Sequence, residues 1–452
     1  NNTAVGFKAL QDYEDGDGNG HNTAIGSSSQ LNASTGEFNT SLGSLSMGAG
    51  VVTGDYNVAL GYKAGEDLTA GAQNTMIGGL AMGVGVTTGA NNVAIGYRSG
   101  EDLTSGNENS LLGVLAGAGL TGGSSNVAVG YGALSSEDAH GKNTAIGHTA
   151  LSILNAGADG VNVAVGYKSG ESMTTGIKNV ILGAFAGDAL TSGSYNTALG
   201  HGALSSEDAH GKNVAVGYQA LLVQNAGSDA YNIAVGFEAG HDLIQGLQNT
   251  LVGGFAGCKI TSAQYNTALG YQSLAANLIG DNNTALGYFA LQNFVADTDG
   301  HGNNTAVGAS AMLNATTGTE NTALGTLAMG IGATTGDGNV ALGYGSLLYS
   351  TTASNNVAIG FESMRASSEA LYNVAIGFRS LYTNVEGDSN VAIGYDALRV
   401  FNPSNGSTYN TAVGHQAGKT MTTGVQNTLI GSLAGDAMAP YQLLLMAIAI
   451  LL

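Results

Sequence analysis

One pentapeptide, Asn-x-x-x-Gly, recurs in frame 25 times between Asn2 and Gly431. Sixteen of the 24 spacings between successive Asn residues are 17 residues, and the others are 18 to 21. A short period held over hundreds of residues belongs to a solenoid or fibre, in which each unit buries its apolar face against its neighbours. That outweighs the prior of about three globular domains that length alone would give. One continuous repeat domain is expected over residues 1–438, with a separate tail at 439–452. The chain opens inside a repeat rather than on a signal peptide, so a mature or processed terminus is expected. The tail from Tyr441 is almost wholly apolar. It is shorter than the roughly 20 residues that span a bilayer, so no membrane span is expected. A cap, a subunit joint or an anchor fragment would each fit.

Composition narrows the class. There are 73 Gly but only 2 Pro, which excludes collagen and Pro-rich linkers, and 43% hydrophobic residues exclude disorder. The net charge of −20 arises from 32 acids against 12 scattered bases. No basic run exists to neutralise phosphates, so nucleic acid is not an expected partner. Cys258 is the single cysteine; it replaces a small residue of the repeat and reads as buried filler.

A representative rung is Asn57-Val58-Ala59-Leu60-Gly61-Tyr62-Lys63-Ala64-Gly65. Counting from Asn, Val, Leu, Tyr and Ala occupy +1, +3, +5 and +7, while Ala, Gly and Lys occupy +2, +4 and +6. This alternation predicts a short strand with one buried face. A second short strand is expected around the apolar anchor, Leu68 in this rung. The invariant Asn predicts a stacked amide ladder, for example through Asn57, Asn92, Asn162 and Asn232. The paired Gly61, Gly96, Gly166 and Gly236 predict a positive φ or a close backbone approach.

The fold class that follows is all-β: a parallel β-solenoid of about 25 repeats of 17–18 residues, paired into 35-residue units. The pairing rests on six odd-numbered rungs that carry a small residue at +5 and a large one at +6. In five of the six, Ala at +2 is replaced by Met76, Leu111, Ile181, Leu251 or Leu429. Either each 35-residue unit is one turn, giving roughly 60 Å in all, or each 17-residue unit is one coil, giving roughly 120 Å. Both readings turn the +2 and +6 face outward. Leu80, Leu111, Leu115, Ile181, Phe185, Leu251, Phe255, Leu429 and Leu433 would then form an apolar assembly stripe.

Catalytic patterns are sparse. The eight His form no HExxH or Cys/His cluster, and Gly117-x-Gly119-x-x-Gly122 has no βαβ context. Carboxylate pairs at Glu66-Asp67, Glu101-Asp102, Glu137-Asp138 and Glu207-Asp208 recur, which suggests a repeated solvated turn rather than one glycosidase pair. The nine residues Ser135 to Asn143 return unchanged as Ser205 to Asn213. Asp12, Asp15, Asp17 and Asn19 resemble half of a Ca²⁺ loop, without the bidentate Glu; no other cofactor is suggested.

The consensus, as in Gly280-Asp281-Asn282-Asn283-Thr284-Ala285-Leu286-Gly287-Tyr288-Phe289-Ala290-Leu291, resembles the NTAIGYQAL repeats of bacteriophage tail-fibre-like and bacterial surface proteins. It is similar, more loosely, to the head repeats of YadA-like trimeric autotransporter adhesins. The resemblance implies an extracellular, non-catalytic fibre on a cell or virion surface. Its partners would be copies of itself, as a homotrimer or a head-to-tail filament, and surface glycans. A carbohydrate-active, tailspike-like solenoid is the alternative and needs an acid cluster in a groove. An ice-binding solenoid needs an unbroken Thr array, whereas +1 mixes Thr with Val and Ile233.

Overall fold

A computed structural model describes residues 1–14, 20–296, 302–404 and 406–436. The chain divides into two compact units, Asn1–Asp229 and Ala230–Leu452. The tail at 439–452 lies outside the described residues, as do Asp15, Asp17 and Asn19.

Among the described residues the regular structure is all β, in three-residue strands at +1 to +3 of each repeat. The first unit holds β1 (Thr3–Val5) through β13 (Val214–Val216), and the second β14 (Ile233–Val235) through β25 (Thr428–Ile430). Within each unit every strand pairs in parallel with the next in sequence. Like positions sit side by side, as in Val93↔Ser110, Ala94↔Leu111 and Ile95↔Leu112. One 17-residue repeat is therefore one coil of a parallel β-solenoid, and the 35-residue unit is not a turn. The expected second strand is reduced to isolated bridges such as Leu68↔Thr87 and Ser354↔Leu371.

The polarity of the strand is the reverse of that expected. Position +2 points inward: Ala59, Ala94, Ala128 and Ala164 are fully buried, while +1 and +3 are half-buried or exposed. Room is the physical reason. The coil is thin, and its interior already holds the anchor at +11 (Leu68, Leu103, Leu120, Leu190) and residues at +7 and +8 (Ala133 and Leu134, for example). Only a small +2 side chain fits opposite these at interior packing density.

The large +2 residues are the exception, and glycine at +8 of the preceding coil accounts for them, as Gly65 does for Met76; the coils of Leu111, Ile181, Leu251 and Leu429 have a second glycine at their own +8. Leu111 lies between Gly100 and Gly117, and Ile181 between Gly170 and Gly187. Leu429 likewise lies near Gly418 and Gly435. A Cβ on Gly100 would meet Leu111 Cδ1 at 2.8 Å, and one on Gly117 would meet Leu111 Cδ2 at 2.8 Å. A large +2 side chain thus fills the space left by glycine at +8 in the coil before it and in its own coil.

The invariant Asn and Gly are fixed by backbone geometry. Asn92 N and Nδ2 donate to Asn74 Oδ1 at 2.9 and 3.1 Å, and Nδ2 also donates to Gly106 O at 2.9 Å. The same set holds Asn57 on Asn39 and Asn162 on Asn143, and Asn249 donates to Asn232 Oδ1. In coils such as that of Asn92, the fully buried amide thus spends its acceptor on the next coil and its donors on the previous coil and on its own turn. Gly96 has φ +138° and a Cβ there would lie 2.4 Å from Gly113 O, so both the torsion and the approach exclude a side chain.

Non-glycine residues also turn the corners in the left-handed region, as at Tyr56 (φ 58°), Lys63 (φ 58°) and Gln73 (φ 59°). Such torsions cost roughly 1–2 kcal/mol each. Inter-coil bonds from these same residues hold them: Tyr56 N donates to Glu37 O and Lys63 N to Ser44 O, both at 3.0 Å.

Candidate functional site

With +2 turned inward, the outward sheet face carries β-branched residues at +1 and aliphatic residues at +3. Leu42, Leu112, Leu199, Leu269 and Leu324 are between 42% and 50% exposed. Beside them, +5 carries aromatic rings that stand 41–56% exposed at Tyr62, Tyr97, Tyr131, Tyr167, Phe361 and Tyr395. Coil stacking brings these rings into columns. In the first unit Tyr131, His148, Tyr167, Phe185, His201 and Tyr218 follow one another at centroid distances of 5.1 to 5.8 Å. In the second unit Tyr344, Phe361, Phe378, Tyr395 and His415 stack nearly parallel at 5.0 to 5.4 Å.

The small-then-large exchange at +5 and +6 belongs to this column. Phe185 and Phe255 sit at +6 yet pack between the +5 rings of flanking coils. A Cβ on Gly254 at +5 would stand 3.3 Å from the Tyr271 ring. Cations border the column. Lys63, Arg98 and Lys168 lie over Tyr62, Tyr97 and Tyr167 at 5.7 to 5.8 Å. They pair with Glu66, Glu101 and Glu171 at 3.0 to 3.1 Å.

The expected assembly stripe divides. Leu111, Ile181 and Leu251 are fully buried or nearly so, and Leu429 is 7% exposed, so these are core residues and offer no surface. Leu80, Leu115 and Phe255 are half-buried, while Phe185 and Leu433 are exposed. The apolar face that does reach the surface is the +3 and +5 face. Its signal was present in the sequence as the invariant aliphatic at +3, but alternation alone does not say which of two faces is inside.

The carboxylate pairs also divide. Glu66 and Glu101 form surface ion pairs, but Glu137 and Glu207 are fully buried rather than solvated. They occupy the +11 anchor position that Leu68, Leu103 and Leu120 fill in other coils. Burial raises both carboxyls above the ordinary Glu range. Of the suggested Ca²⁺ loop only Asp12 is described, and it is exposed. Cys258 is half-buried rather than buried; its Sγ faces Ala275 O at 3.7 Å, and desolvation raises its thiol. No helix among the described residues is long and apolar enough to cross a membrane. No protein-family model matches the chain, and no curated protein matches its sequence.

Proposed function

We propose that the chain is a non-catalytic structural subunit of an extracellular fibre or filament, of the adhesin or tail-fibre kind, which associates with its own copies through the outward sheet face. The observation that carries this reading is the outward row of aliphatic +3 and aromatic +5 residues, repeated from coil to coil within each unit. Soluble monomers rarely expose contiguous apolar patches above a few hundred Å². The Asn ladder suits the same role, because each coil is bonded to its neighbours through side chains as well as backbone. Exposed rings bordered by cations would give surface glycans a stacking platform.

Size-exclusion chromatography with light scattering, followed by cryo-EM, tests the proposal. The chain should form trimers or filaments, and the pair Leu112→Glu and Leu269→Glu should reduce it to monomers without loss of secondary structure. A monomeric wild-type chain at tens of micromolar would overturn it.

A further inference from the structure

The buried carboxylates at Glu137 and Glu207 stand in a second, unrelated arrangement. We infer that Glu137, Asp138 and His140, and equally Glu207, Asp208 and His210, form two identical binding sites for a divalent transition-series cation, Zn²⁺ in particular. In each triad one ligand atom per residue lies within 4.8 Å of the others.

A Glu in place of the core Leu is the first reason. Both side chains are 0% exposed, and a buried carboxylate is costly unless a cation or a full set of donors meets it. The donors here are few and long. Glu137 accepts from His140 N and Ala156 N, each at 3.3 Å. Glu207 accepts from His210 N at 3.1 Å, and its Oε2 completes no hydrogen bond, with only the Ala226 N–H beside it.

The histidines give the second reason. His140 Nδ1 and His210 Nδ1 are buried atoms without a hydrogen-bond partner. They face Glu137 Oε1 and Glu207 Oε1 at 3.8 and 3.7 Å. That gap is too long for a hydrogen bond. It is close to the spacing of two ligands on one ion: metal–ligand bonds of about 2.0–2.1 Å put two tetrahedral ligands roughly 3.4 Å apart. Nearby cations are already engaged, since Lys142 pairs with Asp159 at 2.5 Å and Lys212 with Asp229 at 2.7 Å. One imidazole with two carboxylates suits Zn²⁺ or Co²⁺ better than Ca²⁺, which takes six to eight oxygens.

The fold sets each triad rigidly. Glu137 and Glu207 lie at +11 of their coils, and His140 and His210 at +14. Asn196 Nδ2 donates to His210 O at 3.3 Å. Glu137 Oε2 also reaches Ala156 of the following coil, so a bound ion would brace two coils together.

The test is calorimetric titration of ZnCl₂ into the chelator-stripped full chain, with the d–d absorbance of Co²⁺ as a second probe. Two ions per chain are expected. His140→Ala should leave one, and His140→Ala with His210→Ala should remove both or weaken them at least tenfold. Both His side chains are about a third exposed, so these variants should fold, which circular dichroism would check. Glu137→Gln, which keeps the shape but removes the charge and one acceptor oxygen, should likewise remove one ion. No Zn²⁺ uptake by the wild type at micromolar concentration, or stoichiometry and affinity both unchanged in the double His variant, would overturn the assignment. Neither result bears on self-association.

Discussion

Leu111 occupies space that exists only because residue 100 is glycine: a Cβ on Gly100 would stand 2.8 Å from Leu111 Cδ1. Gly100 also has φ +56°, so Gly100→Ala meets both a clash and an unfavourable torsion. The expected loss is about 2–4 kcal/mol, from roughly 1–3 for overpacking and about 1 for the torsion. Leu111→Ala should lose about 2–5 kcal/mol through its cavity. Combining Leu111→Ala with Gly117→Leu recreates the Ala128 and Leu134 arrangement of the next coil and should recover a large part of that loss. Urea unfolding of the wild type, Leu111→Ala, Gly117→Leu and the double variant checks the coupling. Additive losses would mean that the two positions do not share one space.

Asn92→Ala removes the acceptor for Asn109 N and Nδ2, both bonded to it at 2.9 and 3.0 Å in a fully buried setting. It also frees Gly106 O. A buried donor left without a partner costs about 1–3 kcal/mol, so a fall of at least that size is expected. Hydrogen exchange should quicken at Asn109 N and the adjoining coil before it does elsewhere. Uniform exchange across the unit would count against a local ladder.

Glu137 and Glu207 give a pH dependence of defined sign. Their folded carboxyls are held above the unfolded value, so between the two values the folded state binds more protons than the unfolded one. Their contribution is full below the ordinary Glu range and is lost as pH rises through the folded values. With chelator present, stability should therefore fall from about pH 4 upward, and Glu137→Gln with Glu207→Gln should flatten that slope. Asp159 is shifted the other way by its bond to Lys142, but it is exposed and should contribute little. Thermal melts between pH 4 and 7 test the sign. A wild-type slope indistinguishable from that of the Gln variants would refute it.

Tyr395 lies between Phe378 and His415 at 5.0 and 5.3 Å and is 46% exposed. Tyr395→Ala should cost the folded chain about 0.5–1.5 kcal/mol for the lost ring contacts. Its effect on association, if the column is an interface as proposed, should be larger than its effect on unfolding. Sedimentation velocity and urea unfolding on the same preparation separate the two.

The sequence by itself determined the repeat period, the strand at +1 to +3, the Asn ladder and the need for Gly at +4, while the strand pairing decided that one 17-residue repeat, not two, makes a turn. Each depends on local geometry repeated in register, and repetition amplifies a weak local signal until it is unambiguous. Tertiary structure alone decided which strand face is inside. A period of two defines two faces without ranking them, and here the face with the smaller residues is buried because the opposing anchors leave no more room. That choice left the +3 and +5 face outside, and Leu111, Ile181 and Leu251 are core because glycines at +8 leave them room. The structure also made Glu137 and Glu207, which read as turn acids beside Asp138 and Asp208, into buried groups, since they stand at the +11 position that Leu68 fills as an anchor in its own coil.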